Sequence, residues 1–278
     1  MSQTGSLRLR PKKSLGQNFL RDENIARNIV AAVSPQENDV VLEIGPGEGA
    51  LTKHLAQKSH KLIVVDIDRR ATERMRELYP HDEVEILNQD FLELDLVKIS
   101  EGRTQRLRIV GNIPYNITSP ILFHVLDHRE AVVDATFMMQ KEVARRLVAV
   151  PDTKDYGILA VFCQVFADVE LLFDVSPNAF YPKPKVTSSL VQLTMRVNPR
   201  YTIIDEEFFR RMIRSVFGKR RKTLRNSLAY FGEEENIAIP AAAIAGDLQR
   251  RPENLTIEEL VHLSNTLKTN QTHPGSPT

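Results

Sequence analysis

The chain has 278 residues, of which 42% are hydrophobic and 26% are charged, enough for one large core and a smaller second one. The formal net charge is only +1, so affinity for a nucleic acid must come from a local basic cluster. A single cysteine, Cys163, excludes an internal disulfide, and no apolar stretch is long enough to span a bilayer. The polar segment 1–13 lacks the hydrophobic part of a secretory signal, so we expect a cytoplasmic protein that does not bind membranes.

Apolar strand-like runs alternate with helical segments between residues 39 and 140. The predicted strands are 40–44, 61–66, 84–87, 107–110 and 135–139, and helices are predicted at 50–57 and 70–79. This alternation is typical of βαβ units, so it predicts an α/β fold with a doubly wound parallel sheet. Two more strands are predicted at 169–175 and 190–195, the second with the alternation of an antiparallel strand.

The pattern changes after residue 198. Short helices without intervening strands are predicted at 206–217, 221–231, 238–245 and 257–267, which indicates a small all-helical C-terminal domain. We therefore expect a flexible basic arm (1–13, with Arg8, Arg10, Lys12 and Lys13), a Rossmann-like domain (14–198), a helical domain (199–268) and a disordered tail (269–278).

A glycine-rich loop joins the first predicted strand to a helix. Gly45, Gly47 and Gly49 allow a backbone to approach a ligand closely at the carboxyl edge of the sheet, where α/β proteins bind nucleotides. Gly45, Gly47 and Ala50 also satisfy the pattern of NAD-binding proteins, so the loop alone does not distinguish NAD from S-adenosylmethionine.

Acidic residues end the following strands. Asp66 is at the distance from the loop where a carboxylate accepts hydrogen bonds from ribose, which either cofactor contains. Three features favour the methyl donor: Glu43 before the glycines, the spacing of those glycines, and Asp90 at the end of the third unit. Asp90 is placed to accept a hydrogen bond from the donor's adenine amine. Each acid alone is equally consistent with a solvated strand end; their occurrence at successive strand ends favours a site.

The residues 111–115, Gly-Asn-Ile-Pro-Tyr, follow another predicted strand. Asn112 Oδ1 and the carbonyl of Ile113 are suited to accept both N–H groups of an adenine amine, which would localise its lone pair on nitrogen. Pro114 turns the chain, and Tyr115 offers a face on which an extruded base stacks. A simple turn after a strand is the alternative interpretation.

Phe180 precedes Tyr-Pro-Lys-Pro, a segment that cannot be helical and is stiffened by its prolines. We predict that a base lies between Tyr115 and Phe180, and that Lys183 and Lys185 meet phosphates. A core position is the alternative for Phe180.

The segment 210–225 is rich in basic residues and contains no acid. We predict an RNA-phosphate surface rather than a solvated helix face. The basic residues assigned to it are Lys219, Arg220, Arg221, Lys222 and Arg225. His124 and His128 lie one helical turn apart but lack further metal-ligand spacing, so no metal site is predicted.

Five motifs in order resemble the ribosomal RNA adenine dimethyltransferases: residues 16–20, 43–49, 66–68, 112–117 and 180–186. The resemblance covers 11 to about 267 and implies a Rossmann-like enzyme that dimethylates two adjacent adenosines near the 3′ end of small-subunit ribosomal RNA. The implied methyl donor is S-adenosyl-L-methionine, leaving S-adenosyl-L-homocysteine, without a metal. The implied partner is the small ribosomal subunit or its precursor, bound by a monomer during ribosome maturation.

The resemblance also assigns residues. By the resemblance, Asn18, Leu20, Gly45, Asp66, Asp90 and Asn112 contact the donor. We also expect donor contacts from Gln17, Glu43, Gly47, Ile67 and Phe91, and the residues expected at the reacting base from their own chemistry are Asn112, Ile113, Pro114, Tyr115 and Phe180. One position departs from the family, whose members usually carry Glu where Asp66 stands; the shorter carboxylate still reaches ribose but puts the strength of donor binding in doubt.

Three alternatives share part of this pattern. They are a large-subunit ribosomal RNA methyltransferase of the antibiotic-resistance type, a DNA adenine methyltransferase, and a ribosome-assembly factor that keeps the fold without activity. The first two differ in the nucleic acid that receives the methyl group. The third predicts RNA binding without methyl transfer.

Overall fold

A computed structural model describes residues 9–272 except 37, 60, 82, 102–105, 238 and 240–248. Its strands form a seven-stranded sheet and a separate two-stranded ribbon. The strands are β1 (Phe19–Leu20), β2 (Val40–Ile44), β3 (Lys61–Val65), β4 (Val84–Leu87), β5 (Leu107–Asn112), β6 (Val132–Gln140), β7 (Ala167–Val175), β8 (Phe180–Tyr181) and β9 (Ser188–Met195).

Helices occur at the predicted positions 50–57, 70–79, 206–217, 221–231 and 257–267, with different bounds, and others occur where none was predicted. The helices are α1 (Glu23–Val33), α2 (Thr52–Leu55), α3 (Arg69–Leu78), α4 (Leu96–Ser100), α5 (Thr118–Asp127), α6 (Lys141–Leu147), α7 (Ile158–Phe166), α8 (Glu206–Gly218), α9 (Leu224–Glu235) and α10 (Ile257–Thr272). The helix predicted at 238–245 lies outside the described residues, apart from residue 239.

The large sheet has the strand order β4-β3-β2-β5-β6-β9-β7. Its first five strands are parallel, whereas β9 is antiparallel to both β6 and β7. The chain crosses from β4 to the far side of β2 to form β5, which makes the carboxyl ends of β2 and β5 a topological switch point. The predicted α/β, doubly wound fold is confirmed.

The register of the sheet aligns the predicted strand ends. Ile44 lies opposite both Val65 and Gly111, and Val65 lies opposite Leu87. Because each of these positions ends a parallel strand or lies next to its end, the residues that follow them emerge at one edge. The glycine loop, Asp66, Asp90 and Asn112 are therefore brought to the same edge of the sheet.

Two compact units make up the chain: residues 1–144 with 167–195, and residues 145–166 with 196–278. The sequence pattern places 145–166 in the Rossmann-like domain, whereas the structure groups these residues with 196–278 in the second unit. The reason is the apolar face of α7, where the ring of Phe162 meets Phe209 of α8 edge-on at 6.1 Å between centroids. In the sequence, α7 lies between the predicted strands 135–139 and 169–175 of the Rossmann-like domain, so the domain prediction included it there.

The predicted termini also need correction. In the arm 1–13, residues 1–8 lie outside the described residues, but the N–H of Leu9 donates to Glu48 Oε1 at 3.0 Å and Lys12 Nζ donates to Asp68 Oδ1 at 3.2 Å. The arm from residue 9 onward is thus bound to the first unit. Of the predicted disordered tail, 269–272 continue α10, and 273–278 lie outside the described residues.

Candidate active site

A cleft opens at the carboxyl edge of the sheet, at the switch point between β2 and β5. Its lining comes from the segment before β1, the glycine loop, the ends of β3 and β4, and the turn after β5. The lining residues are Ser14, Leu15, Gly16, Gln17, Asn18, Phe19, Gly45, Gly47, Asp66, Ile67, Asp90, Asn112, Ile113, Pro114, Tyr115, Asn116 and Ile117.

The backbone of the glycine loop adopts positive φ angles, which favour glycine. Gly47 has a φ of +55°, and a Cβ there would lie 2.8 Å from Cδ1 of Phe19. Gly45 has a φ of +66° and no heavy atom within 4 Å of the position a Cβ would take. The loop therefore leaves open space at its first glycine, at the edge where a nucleotide is expected.

Asp66 lines this space from the end of β3. Its Oδ1 accepts from the N–H of Asp68 at 2.8 Å, which fixes the carboxylate. Burial raises the pKa of Asp66 to about 6, and the neighbouring Asp68 carboxylate adds to the rise, against the lowering by the N–H groups of Asp68 and Gly47. A carboxylate held here is placed to accept hydrogen bonds from ribose hydroxyls.

Asp68 is a residue that the sequence analysis overlooked. Its side chain is 1% exposed and accepts from Lys12 Nζ, from Gln17 Nε2 at 3.0 Å and from Arg70 Nη2 at 2.6 Å. The hydrogen bond from Arg70 is the main reason that the pKa of Asp68 lies far below its usual range, with Gln17 and Lys12 contributing. The segment before β1 is thus fastened to the β3–α3 connection by one buried carboxylate.

Gln17, predicted to contact the donor, has both ends of its side chain engaged within the protein. Its Nε2 donates to Asp68, and its Oε1 accepts from the N–H of Lys12 at 2.9 Å. Gln17 still borders the cleft, but its amide holds the segment in place. Asn18 borders the cleft too, with its Nδ2 donating to the carbonyl of Gly16 at 3.2 Å.

Asp90 and Phe91 separate at the end of β4. Asp90 lines the cleft, and its Oδ1 accepts from the N–H of Leu92 at 2.9 Å, which orients the carboxylate. Phe91 turns away: it is 5% exposed, and its ring meets His124 edge-on at 5.1 Å between centroids. The structure therefore brings Asp90 into the cleft and gives the Phe91 ring a packing position.

Glu43 is buried beneath the glycine loop rather than in the cleft wall. Its Oε2 accepts from Thr52 Oγ1 at 2.7 Å, and it borders a small adjoining pocket together with Gly45, Gly47 and Asn112. Burial raises the pKa of Glu43 to about 8, Thr52 opposes the rise, and Asp66 adds to it. Thr52 was not predicted from the sequence.

Asn112 ends β5 and faces the glycine loop. Its Nδ2 donates to the carbonyl of Asn18 at 2.8 Å, and the next residue, Ile113, donates its N–H to the carbonyl of Met138 at 3.2 Å. A carbonyl only accepts, so this contact identifies the amide nitrogen and leaves Oδ1 as the acceptor end of the side chain. The structure thus places Asn112 with Asp66, Asp90 and Gly45 in one cleft.

The turn after Asn112 is held by hydrogen bonds of its own. The carbonyl of Pro114 accepts from the N–H of Ile117 at 3.2 Å and from Thr118 Oγ1 at 3.2 Å. The hydroxyl of Tyr115 lies 2.7 Å from Oγ of Ser188, which is fully buried at the start of β9. Ser188 escaped the sequence analysis because it lies far from Tyr115 in the chain.

Phe180 and Leu20 do not line the main cleft. They face each other across the ribbon of β1 and β8, are each 5% exposed, and belong to the hydrophobic core. The predicted base sandwich between Tyr115 and Phe180 is therefore not preformed. Ribbon packing against the core is the physical reason, and stacking on Phe180 stays a prediction that requires the ring to become accessible.

His124 and His128 make local contacts. Nε2 of His124 lies 2.9 Å from the carbonyl of Leu94, and Nδ1 of His128 lies 2.9 Å from the carbonyl of His124. Across the described part of the chain, no group of three or more His, Cys, Asp or Glu side chains is arranged to hold a metal ion. Cys163 is buried in α7, and burial raises the pKa of its thiol to about 12.

The predicted RNA-binding cluster lies in the second unit, and its members differ. Arg220 is paired with Glu253, with its Nε 2.9 Å from Oε2, and Lys219 lies 5.0 Å from the ring centroid of Tyr230. The absence of acids within 210–225 was misleading, because acids outside that window pair with several of its arginines. Lys219, Arg221, Lys222 and Arg225 are exposed and have no ion-pair partner in the described part of the chain, and of these Lys219 contacts the Tyr230 ring.

Solved structures share this fold over most of their length. A dimethyladenosine transferase from Plasmodium falciparum superposes with a TM-score of 0.72 at 24% identity, covering 91% of this chain and 98% of that chain. The 23S rRNA methyltransferase ErmE gives a TM-score of 0.63 at 27% identity, covering 90% and 100%. Fold and cleft together define a Rossmann-like methyltransferase.

The chain belongs to the ribosomal RNA adenine dimethylase family, whose family model matches residues 8–268. The ribosomal RNA small subunit methyltransferase A of Chlorobium phaeobacteroides (strain BS1) is 46% identical, covering 92% of this chain and 94% of that protein. The protein of the same name from Francisella tularensis subsp. novicida (strain U112) is 40% identical, covering 92% and 97%. The predicted family is confirmed.

Proposed function

We infer that the chain is an S-adenosylmethionine-dependent ribosomal RNA adenine dimethyltransferase that acts on the small subunit. Family membership and relatives of 40–46% identity over nearly the whole chain support this. The observation that carries the chemistry is the side chain of Asn112, whose nitrogen is engaged by the Asn18 carbonyl beside the open glycine loop. The substrate is the exocyclic amine of two adjacent adenosines near the 3′ end of the RNA.

The residues present fit the methyl donor. The open space beside Gly45 allows close backbone approach, Asp66 is placed for the ribose hydroxyls and Asp90 for the adenine amine. When bound, S-adenosylmethionine supplies an electrophilic methyl group on a positively charged sulfur. Ile67, whose side chain is 57% exposed at the cleft, provides an apolar surface against which an adenine can lie.

Asn112 and Ile113 activate the amine that attacks. The amine lone pair is delocalised into the purine ring, and accepting both N–H groups at Oδ1 and at the Ile113 carbonyl localises it on nitrogen. Tyr115 supports the plane of the extruded base by stacking. The new N–C bond forms as the S–C bond breaks, leaving S-adenosylhomocysteine.

Proton removal does not need a strong base in the cleft. The nitrogen becomes acidic only after it has been methylated, so the proton passes to water. The same acceptors then hold the monomethylated amine by its remaining N–H during the second transfer. Two hydrogen-bond acceptors, Asn112 Oδ1 and the Ile113 carbonyl oxygen, are therefore sufficient for the proposed reaction without a catalytic histidine.

Binding of the RNA is assigned to basic residues of both units. Lys183 and Lys185 are exposed on the segment after β8, and Arg221, Lys222 and Arg225 are exposed in the second unit. Lysine and arginine side chains that neutralise phosphates release counterions, which makes affinity depend on salt. We propose that the enzyme acts as a monomer in the cytoplasm, on the small subunit or its precursor; none of the helices described is long and apolar enough to cross a membrane.

Methyl transfer from labelled S-adenosylmethionine to precursor small subunits tests this function. We expect label in N6,N6-dimethyladenosine at two adjacent positions near the 3′ end of the small-subunit RNA. Naked large-subunit RNA and duplex DNA serve as parallel substrates. Label in large-subunit RNA would favour an activity like that of ErmE, label in DNA a DNA adenine methyltransferase, and binding without label a non-catalytic assembly factor.

A further inference from the structure

The ribbon of β1 and β8 places two consecutive aromatic residues on opposite faces. Phe180 lies opposite Leu20, and both are buried; Tyr181 lies opposite Phe19. Residues directly opposite each other in an antiparallel pair project to the same face. Because Phe19 lines the cleft, Tyr181 projects from the cleft-bordering face of the ribbon, and it is 49% exposed there.

Arg21 covers one side of the Tyr181 ring. Its guanidinium carbon lies 4.1 Å from the ring centroid, and its Nε lies 4.0 Å from Oε2 of Glu48. The backbone N–H of Arg21 donates to the carbonyl of Ala179 at 2.8 Å, which ties it to the residue before β8. An exposed tyrosine ring held by an arginine has lost much of the freedom that stacking on it would otherwise remove.

The segment that follows Tyr181 is positively charged and stiff. Lys183 and Lys185 are exposed, have no ion-pair partner among the described residues, and alternate with Pro182 and Pro184. No acidic residue occurs between 181 and 186. A flat ring beside fixed cations is the combination that single-stranded RNA meets in its protein sites, with the base on the ring and the phosphates on the cations.

We propose that Tyr181, supported by Arg21, stacks an unpaired nucleobase that neighbours the target adenosine, while Lys183 and Lys185 contact the adjoining phosphates. The inference rests on the proposed function in that the ligand is the substrate RNA strand. It adds a second base-binding position, outside the pocket of the reacting adenine, and assigns it to the ribbon residue that is accessible rather than to Phe180. The ligand class is a single-stranded ribonucleotide, read by its π-face and not by its base edge.

The test compares Tyr181→Ala with Tyr181→Phe, which keeps the ring, and with Val186→Ala, which trims another exposed residue of the same segment. The substrate is a small-subunit RNA fragment with 2-aminopurine placed next to the target adenosine, so that stacking quenches its fluorescence. We expect Tyr181→Ala to lose the quenching and to raise KM for RNA roughly ten-fold, the scale of one stacked base. The dissociation constant of the methyl donor, which reports correct folding, should stay unchanged.

Tyr181→Phe and Val186→Ala should both behave as wild type, and Arg21→Ala should give a smaller rise in KM. The proposal is overturned if Tyr181→Ala retains the wild-type quenching and KM, or if Val186→Ala is equally impaired. Absence of methyl transfer by the wild-type enzyme would instead remove the proposed function and this inference with it. If the wild-type enzyme turns over and Tyr181→Ala changes neither quenching nor KM, the inference about Tyr181 fails while the proposed function stands.

Discussion

The side-chain amide of Asn112 donates to the main-chain carbonyl of Asn18 across 2.8 Å, joining the end of β5 to the residue before β1. The contact identifies Nδ2 as the bound end of the amide and leaves Oδ1 as the acceptor end. The partner is a main-chain carbonyl, which no side-chain substitution at Asn18 removes. The acceptor that we propose to activate the amine is thereby oriented before any substrate arrives, which lowers the reorganisation needed during the proposed reaction.

Asn112→Ala should lower kcat for methyl transfer by roughly a hundred-fold or more, the effect of losing one preorganised hydrogen-bonding group at a reacting centre. Donor affinity should fall less, because Asp66 and Asp90 remain. Asn112→Asp should also be impaired, because an ionised carboxylate repels the Asn18 carbonyl. Single-turnover methylation and donor titration measure the two quantities, and near-normal turnover of the Ala variant would remove Asn112 from the mechanism.

Tyr115→Phe and Ser188→Ala each remove one oxygen of the same 2.7 Å contact. If Ser188 positions the Tyr115 ring, each variant should raise KM for RNA to a similar extent, and the double variant should be no worse than either single one. Ser188→Thr should restore function by keeping a hydroxyl. Ser189→Ala is the matched control, because its hydroxyl donates to Asp174 instead; additive losses in the double variant would contradict the positioning role.

Phe180→Ala should lower the free energy of unfolding by roughly 3–5 kcal/mol, because it removes a buried aromatic ring from the core. Chemical denaturation measures this, and an unchanged midpoint would contradict the buried position. Phe180→Leu keeps most of the volume at a cost of roughly 1.5 kcal/mol or less. A loss of turnover in the stable Leu variant would establish the base stacking that the sequence predicts.

Donor binding should strengthen as pH rises through about 6, because Asp66 has a pKa of about 6 and only the ionised carboxylate offers both oxygens as charged acceptors to the ribose hydroxyls. Below that pH the carboxyl is protonated in the free protein, so binding must first release the proton. Asp66→Asn should flatten this part of the profile and weaken the donor roughly ten- to hundred-fold, the value of a charged hydrogen bond. Isothermal titration between pH 5 and about 8 is the measurement; a flat wild-type profile contradicts the assignment.

Replacing Arg221, Lys222 and Arg225 together by Glu should weaken RNA binding and reduce its salt dependence. Each lost phosphate contact lowers the slope of log affinity against log salt by roughly 0.7–0.9. Lys58→Glu, a reversal of an exposed lysine in the first unit, serves as the control. If the triple variant keeps the wild-type slope, these residues form only a solvated surface.

The sequence was sufficient for the sheet and for most of the cleft. Buried parallel strands are recognisable in a sequence as apolar runs, and their carboxyl ends meet at one edge of the sheet. Gly45, Asp66, Asp90 and Asn112 could therefore be predicted to lie together, and all four line the cleft. The doubly wound fold follows from the same alternation.

What the sequence did not provide are contacts across long separations and the faces of very short strands. Ser188 lies 73 residues from Tyr115, and Asp68 lies 51 residues from Gln17, so no local pattern connects them. The ribbon strands have two residues each, too few for an alternation that would tell which of Phe180 and Tyr181 is buried. Helix α7 was misassigned because its partner, α8, comes much later in the chain.

The fastening of residues 12 and 17 to Asp68 bears on how the enzyme passes through its full reaction. Two methyl groups on each of two adenosines consume four donor molecules, and each spent one must leave before the next enters. The segment 14–18 forms one wall of that route, and it is held by Asn112 at Asn18 and, through Lys12 and Gln17, by the Asp68 carboxylate, which stays ionised over the physiological range. Removing this carboxylate, as in Asp68→Ala, should therefore change the rate at which spent donor is exchanged for fresh donor between successive transfers. The rate of the methyl-transfer step itself should stay the same.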